Sequence, residues 1–137
     1  MTEYMFEELT GPIVAGYYTV CYRPRKRAGY SALNLVEELA IDLCGRGLRV
    51  ATQVAVHRRY LGRSIGADML DLLVNDLIPV EIKKVSRLTG KHEAQLRTYR
   101  LDLRQPVGVL LDFGGSQPEV RRVYERANDP TLAGGVA

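Results

Sequence analysis

Only two cysteines, Cys21 and Cys44, occur in the 137 residues, and neither stands in a C-x-x-C or Cys/His spacing. That excludes the usual signatures of a zinc site or a disulfide framework and predicts a reduced, cytoplasmic protein. No apolar run approaches the ~20 residues of a membrane span, and the acidic N-terminus (Glu3, Glu7, Glu8) lacks the basic region of a secretory leader. The sequence therefore predicts no membrane partner. Strong charge of one sign is also missing. A net charge of +3 with pI near 9.0 is compatible with a polyanionic partner but does not demand one. Internal repeats and low-complexity tracts are absent as well.

What is present fits one compact α/β domain, because 46% hydrophobic residues suffice for a single core at this length. The domain is placed at residues 1–127, with 128–137 as a flexible C-terminal tail. Residues 9–22 are apolar and rich in β-branched and aromatic side chains, but Gly11, Pro12 and Gly16 interrupt them, so helix and strand both stay open. The basic run Arg23-Pro24-Arg25-Lys26-Arg27 reads as a loop, either solvated or facing phosphate.

From Ser31 the pattern changes to three- and four-residue spacing through Leu33, Val36, Leu39, Ala40 and Leu43. This predicts a helix that Ser31 caps and Gly47 ends. Alternation over residues 49–57 predicts a half-buried strand, residues 58–64 a turn, and residues 69–74 a second strand closed by Asn75-Asp76. The return strand spans 77–85, with Pro79 confined to a strand start, an edge or a bulge. A helix follows over 89–103, with His92, Leu96, Tyr99 and Leu103 on one face; His92 and Tyr99 are read as core. A buried strand at 107–113 and an edge-like strand at 119–125 complete the order.

Two acids and a lysine carry the chemistry. Asp71 and Glu81 offer hard oxygen ligands to a divalent cation from adjoining strands, and Lys83, two residues beyond Glu81, projects from the same face. Its ammonium suits the orientation of an attacking water and the negative charge that develops on a phosphoryl group. Parity tests the idea. Asp71 faces Glu81 across the hairpin only if the loop has three or five residues or a bulge lies near Pro79; a two-residue turn separates them.

The segments Leu33-Asn34-Leu35-Val36-Glu37-Glu38-Leu39-Ala40, Arg46-Gly47-Leu48, Tyr60-Leu61-Gly62, Asp71-Leu72-Leu73-Val74 and Val80-Glu81-Ile82-Lys83 resemble the GxxExxY proteins of the PD-(D/E)XK nuclease superfamily. The resemblance continues through His92-Glu93-Ala94-Gln95-Leu96, Tyr99 and Val107-Gly108-Val109-Leu110-Leu111-Asp112-Phe113-Gly114, covering roughly residues 9–125. It implies a restriction-endonuclease-like core: a mixed sheet flanked by helices in the order αβββαβ. It also implies Asp71 and Glu81 as metal-binding acids, Lys83 as catalytic lysine, Gln95 as a residue of the second helix turned toward the site, and Mg²⁺ or Mn²⁺ as cofactor. The chain departs from the family at its naming motif, where Gly29 is followed by Ala32 and Leu35 instead of glutamate and tyrosine. Glu37 or Glu38 is the candidate replacement for the lost acid.

Two functions follow as expectations. One is a metal-dependent nuclease; the other is a catalytically degenerate relative that binds nucleic acid or assembles with itself. Nucleic acid is the expected partner, with DNA favoured over RNA. Lys84, Arg87, Lys91, Arg97 and Arg100 are candidates for a phosphate track, with a solvated helix face as the bland alternative. Tyr17, Tyr18 and Tyr22 are read as packing or oligomer contacts ahead of base stacking. An edge-like last strand and an apolar N-terminal segment together predict a homo-oligomer.

Overall fold

The computed structural model describes residues 3–24, 30–103 and 105–124, and side chains from Glu7 onward except 100–103. The expected tail at 128–137 and the bases Arg25, Lys26 and Arg27 lie outside the described residues. Among the described residues eight elements follow one another: α1 (Glu3–Cys21), α2 (Ala32–Gly45), β1 (Val50–Tyr60), β2 (Arg63–Val74), β3 (Ile78–Lys83), α3 (Gly90–Leu103), β4 (Val107–Asp112) and β5 (Glu119–Tyr124). The strands form one mixed sheet in the order β1-β2-β3-β4-β5. Only β3 and β4 pair in parallel, joined by the α3 crossover that parallel strands require. The expected core order αβββαβ and the edge-like strand after it are thus preceded by one further helix.

The undecided N-terminal segment is a helix, because its apolar period of three to four wins over its β-branched content. Ile13, Tyr17 and Val20 fall on one face and are completely or almost completely buried. Gly16 is placed there by the neighbouring helix. A Cβ at this position would lie 2.6 Å from Leu43 Cδ2 and 2.9 Å from Asp42 Oδ1, so α1 and α2 meet across a residue without a side chain. Gly16→Ala is accordingly expected to destabilise the fold by about 1–3 kcal/mol through overpacking. The helix-propensity gain of about 1 kcal/mol works the other way and does not cancel it. Urea unfolding of the variant checks the sign; an increase in stability would show that the helices separate without strain.

In α2, Ser31 is the N-cap as the sequence predicts, accepting from the Asn34 N–H at 3.3 Å while Asn34 Oδ1 accepts from the Ser31 N–H at 2.9 Å. Past its C-cap, Arg46, lies Gly47 at φ +86°, the left-handed step that commonly ends a helix. The buried stripe is Leu35, Val36, Leu39 and Leu43, so Leu35 replaces Leu33, which is 55% exposed. Stepping by four from 35 to 39 to 43 keeps the branched side chains over the sheet.

Helices cover both faces of the sheet. Helices α1 and α2 pack on Leu72, Val74, Val80, Ile82, Val109 and Leu111. Leu96 of α3 packs on Leu110 and Val123, and Tyr99 packs on Val56 and Leu70. Burying α1 removes one motive for self-association, since the apolar N-terminal segment is covered within the chain. Tyr17 is completely buried, edge-on to Phe113 with ring centroids 4.9 Å apart.

The turns fix the register. Strands β1 and β2 run on to a two-residue connection, Leu61-Gly62, with φ of +49° and +78°. That is the signature of a tight hairpin turn, and it corrects the longer turn expected over residues 58–64. Between β2 and β3 the last pair is Val74 with Ile78, leaving a three-residue loop of Asn75, Asp76 and Leu77. Asn75 and Asp76 both take φ +55°, a conformation that Asn and Asp tolerate better than most residues.

Candidate active site

The three-residue loop sets Leu72 against Val80, so continuation of the same register brings Asp71 opposite Glu81. The ladder stops one pair short of them. At this fork the side chains replace the missing main-chain bonds: the Asp71 N–H donates to Glu81 Oε1 at 3.1 Å, and the Ile82 N–H donates to Asp71 Oδ2 at 2.8 Å. Each carboxylate thereby holds the other strand in place. The β1–β2 register runs unbroken through this level, from Thr52 opposite Leu72 to Val54 opposite Leu70, which sets Gln53 opposite Asp71 although those two are not a ladder pair. Gln53, at this unpaired position, has φ +51° and hydrogen-bonds to Asp71 through its side chain.

Lys83 occupies the same face as Glu81. Its Nζ lies 3.6 Å from Glu81 Oε2 and donates to Gln95 Oε1 at 2.9 Å. Gln95 Nε2 donates in turn to the Tyr99 hydroxyl at 3.2 Å, which orients the amide so that its oxygen faces the ammonium. The result is a bonded line from β3 into α3.

Electrostatics mark the acids as costly. Burial, then the neighbouring Asp71 charge, pushes the Glu81 carboxyl up to about 7, and burial likewise raises Asp71. Burial and the charge of Glu81 push the Tyr99 hydroxyl up to about 12. Glu81 is only 4% exposed. Two partly desolvated carboxylates in contact repel one another when both ionise, and a cation between them relieves that repulsion. The donor set therefore fits a hard divalent ion: carboxylate oxygens from Asp71 and Glu81, with the Lys83 ammonium beside Glu81. Among the described residues, no cluster of three or more His, Cys, Asp or Glu surrounds this pair.

The other candidates separate. Glu37 is exposed, and Glu38 lines a shallow hollow with Val20, Arg23, Ile41 and Asp42, on the layer of α1 and α2. Neither joins Asp71 and Glu81, because those acids face the layer of α3. Lys84 donates to the Tyr30 carbonyl at 3.0 Å, so it turns from the site toward the α1–α2 connection. Arg87, Lys91 and Arg97 are exposed, and the side chain of Arg100 is outside the described residues. His92 is half-buried rather than core: its Nδ1 accepts from the Thr89 N–H at 3.0 Å and caps α3. Tyr99, 3% exposed, is core with its hydroxyl at the site. Gln53 escaped the sequence reading because only the β1–β2 register, set by the distant hairpin turn and its bulge, brings a strand glutamine opposite Asp71.

A helix-flanked mixed sheet with a carboxylate pair at a strand fork and a lysine bonded beside it defines an α/β domain of nuclease-like architecture. The profile of the PD-(D/E)XK nuclease superfamily matches residues 19–123, and the chain belongs to that superfamily. Among solved structures, one described as the crystal structure of SSO0001 is 14% identical, with a TM-score of 0.47 over 88% of this chain and 78% of that one. No curated protein matches the chain at a significant level. No helix among the described residues is long and apolar enough to cross a membrane.

Proposed function

We propose that this chain is a Mg²⁺- or Mn²⁺-dependent nuclease of the GxxExxY kind, hydrolysing phosphodiester bonds at Asp71, Glu81 and Lys83. The observation that carries the reading is the fork itself. Buried Glu81 and half-buried Asp71 share it, one step beyond the last β2–β3 pair, and the Lys83 ammonium beside them is fixed by Gln95. Asp71 and Glu81 would hold the ion, whose charge lowers the pKa of a bound water and offsets charge on the scissile phosphate. Lys83 approaches from the α3 side, where its ammonium positions the attacking water or steadies the developing phosphoryl charge. Gln95 and Tyr99 keep that ammonium in one place, so less of its side-chain freedom is lost when substrate arrives. Gln53 restrains Asp71 from the opposite strand.

A second reading has its own observation: Leu35, which stands where the family places tyrosine, is 2% exposed and belongs to the core, and Ala32 carries no acid. On that reading the domain keeps the fold as a nucleic-acid-binding or self-assembling module. Incubation with labelled single- and double-stranded DNA and RNA in Mg²⁺, Mn²⁺ or EDTA separates the two. Cleavage is expected with a divalent ion and not with EDTA, on DNA in preference to RNA. Intact substrate throughout, from protein shown to be folded by circular dichroism, would move the assignment to the module.

A further inference from the structure

Residues 57–67 are exposed on both faces of the sheet, so the outer ends of β1 and β2 stand off the body as a two-stranded arm. A hairpin without a packed face is marginally stable in water. This one is braced from strand to strand: Arg58 binds Asp68 through two bonds, Nε to Oδ2 at 2.7 Å and Nη2 to Oδ1 at 2.9 Å, and His57 Nδ1 lies 3.0 Å from Ser64 Oγ. The arm is thus preorganised without a core of its own.

Its two faces differ. Register places Arg58 opposite Gly66, skips Ile65 in a bulge, and then pairs Arg59 with Ser64 and Tyr60 with Arg63. Side chains alternate along a strand, so Arg58, Tyr60 and Arg63 continue the face of Val56 and Leu70. That is the face on which Tyr99 packs, next to Gln95 and Lys83. His57, Arg59 and Ser64 occupy the reverse face. Seven residue steps along β2 lead from Arg63 to Leu70, a reach of roughly 20–25 Å.

Composition identifies the partner. Residues 57–67 read His-Arg-Arg-Tyr-Leu-Gly-Arg-Ser-Ile-Gly-Ala and contain no acid. Tyr60 is 66% exposed, with an aromatic face for a base to stack on, and Arg63 beside it offers a guanidinium to phosphate. Pairing of two copies along these arms would bring arginine toward arginine, which is unfavourable. The geometry points to the β1–β2 arm as a clasp for a nucleic-acid strand, using Arg63 and Tyr60 to lead the polymer onto Asp71 and Glu81. This inference rests on the nuclease reading for what happens at the acids, while the arm's own binding is separable from it.

The test uses the full chain carrying Glu81→Gln, so that bound oligonucleotide stays uncut, with fluorescence anisotropy on labelled single- and double-stranded DNA at low and physiological salt. Arg63→Ala and Tyr60→Ala are each expected to weaken binding by about tenfold. Arg63→Ala should also reduce the slope of log affinity against log salt by about one. Arg59→Ala, on the reverse face, should cost less than either. Affinities of the Arg63 and Tyr60 variants equal to their parent would overturn the clasp, and so would a parent that binds no DNA. Light scattering that shows a dimer falling to monomer with these substitutions, while DNA affinity holds, would reassign the arm to self-association. A protein that binds through the arm yet never cleaves with Glu81 restored would support the clasp and remove the nuclease reading.

Discussion

Glu81→Gln is expected to lower metal-dependent cleavage by a factor on the order of 10³, and at the same time to make the ion-free protein more stable at alkaline pH. The loss follows from removing one of two carboxylate ligands while keeping the side-chain oxygen that accepts the Asp71 N–H. The gain follows from linkage. Burial and Asp71 hold the folded-state pKa of Glu81 near 7, above the ordinary 4.5. A carboxyl raised on folding contributes its full stability below the ordinary value and loses it as the pH climbs through 4.5 toward 7, where the fold must accept a second buried charge. Unfolding in urea with EDTA, at pH 5 and pH 8, should therefore show the parent weakened at the higher pH and the glutamine variant less affected. The two should converge at pH 5. Undiminished cleavage by the variant would sink the assignment of the site. Equal pH dependence in both proteins would mean that Lys83, 3.6 Å away, already neutralises the pair.

Tyr17→Phe should cost about 2–3 kcal/mol, because one hydroxyl satisfies two main-chain groups that the sheet leaves open. It donates to the carbonyl of Asp112 and accepts from the N–H of Glu119 at 2.9 Å. Asp112 and Glu119 are the terminal pair of the β4–β5 ladder, so the phenol ties α1 to the end of the sheet. Phenylalanine would preserve the stacking on Phe113 and strand both groups. Burial, followed by a bond to Cys21, raises the Tyr17 hydroxyl well above its usual 10. A raised tyrosine contributes stability that is present below pH 10 and lost above it, as the unfolded chain ionises first. Denaturation midpoints should fall above pH 10 in the parent and fall less in the variant. A variant as stable as its parent at pH 7 would show that Asp112 and Glu119 bond directly once the hydroxyl is gone.

How far local pattern reaches is visible in particular elements. Ser31, Gly47 and the four-residue stepping of α2 act within one or two turns, so the sequence reads them without help from the fold. For α1 the same reading left two options, since the reason for Gly16 lies on another helix, against Leu43 and Asp42. The turn between β1 and β2 is tighter than its local sequence suggests, because arginines 58, 59 and 63 look like loop residues and nothing local announces that a hairpin continues past the body. His92 falls on the apolar stripe of α3, yet position alone does not reveal that its ring turns back to cap the helix.

The sequence by itself determined the chemistry available: two acids and a lysine of fixed parity, with a hairpin loop that had to contain an odd number of residues or a bulge for them to meet. It also determined that Gln95 would sit one turn before Tyr99 on a helix. Tertiary structure alone decided the rest. It chose the three-residue loop, splayed β2 from β3 where Asp71 and Glu81 cross, brought Gln53 opposite Asp71 through the β1–β2 register, and left Glu37 and Glu38 on the other side of the sheet. The physical reason is separation along the chain. Capping, parity and helical period are set by residues within a turn of one another, whereas the position of a carboxylate opposite another strand depends on where every intervening turn closes and how the sheet twists.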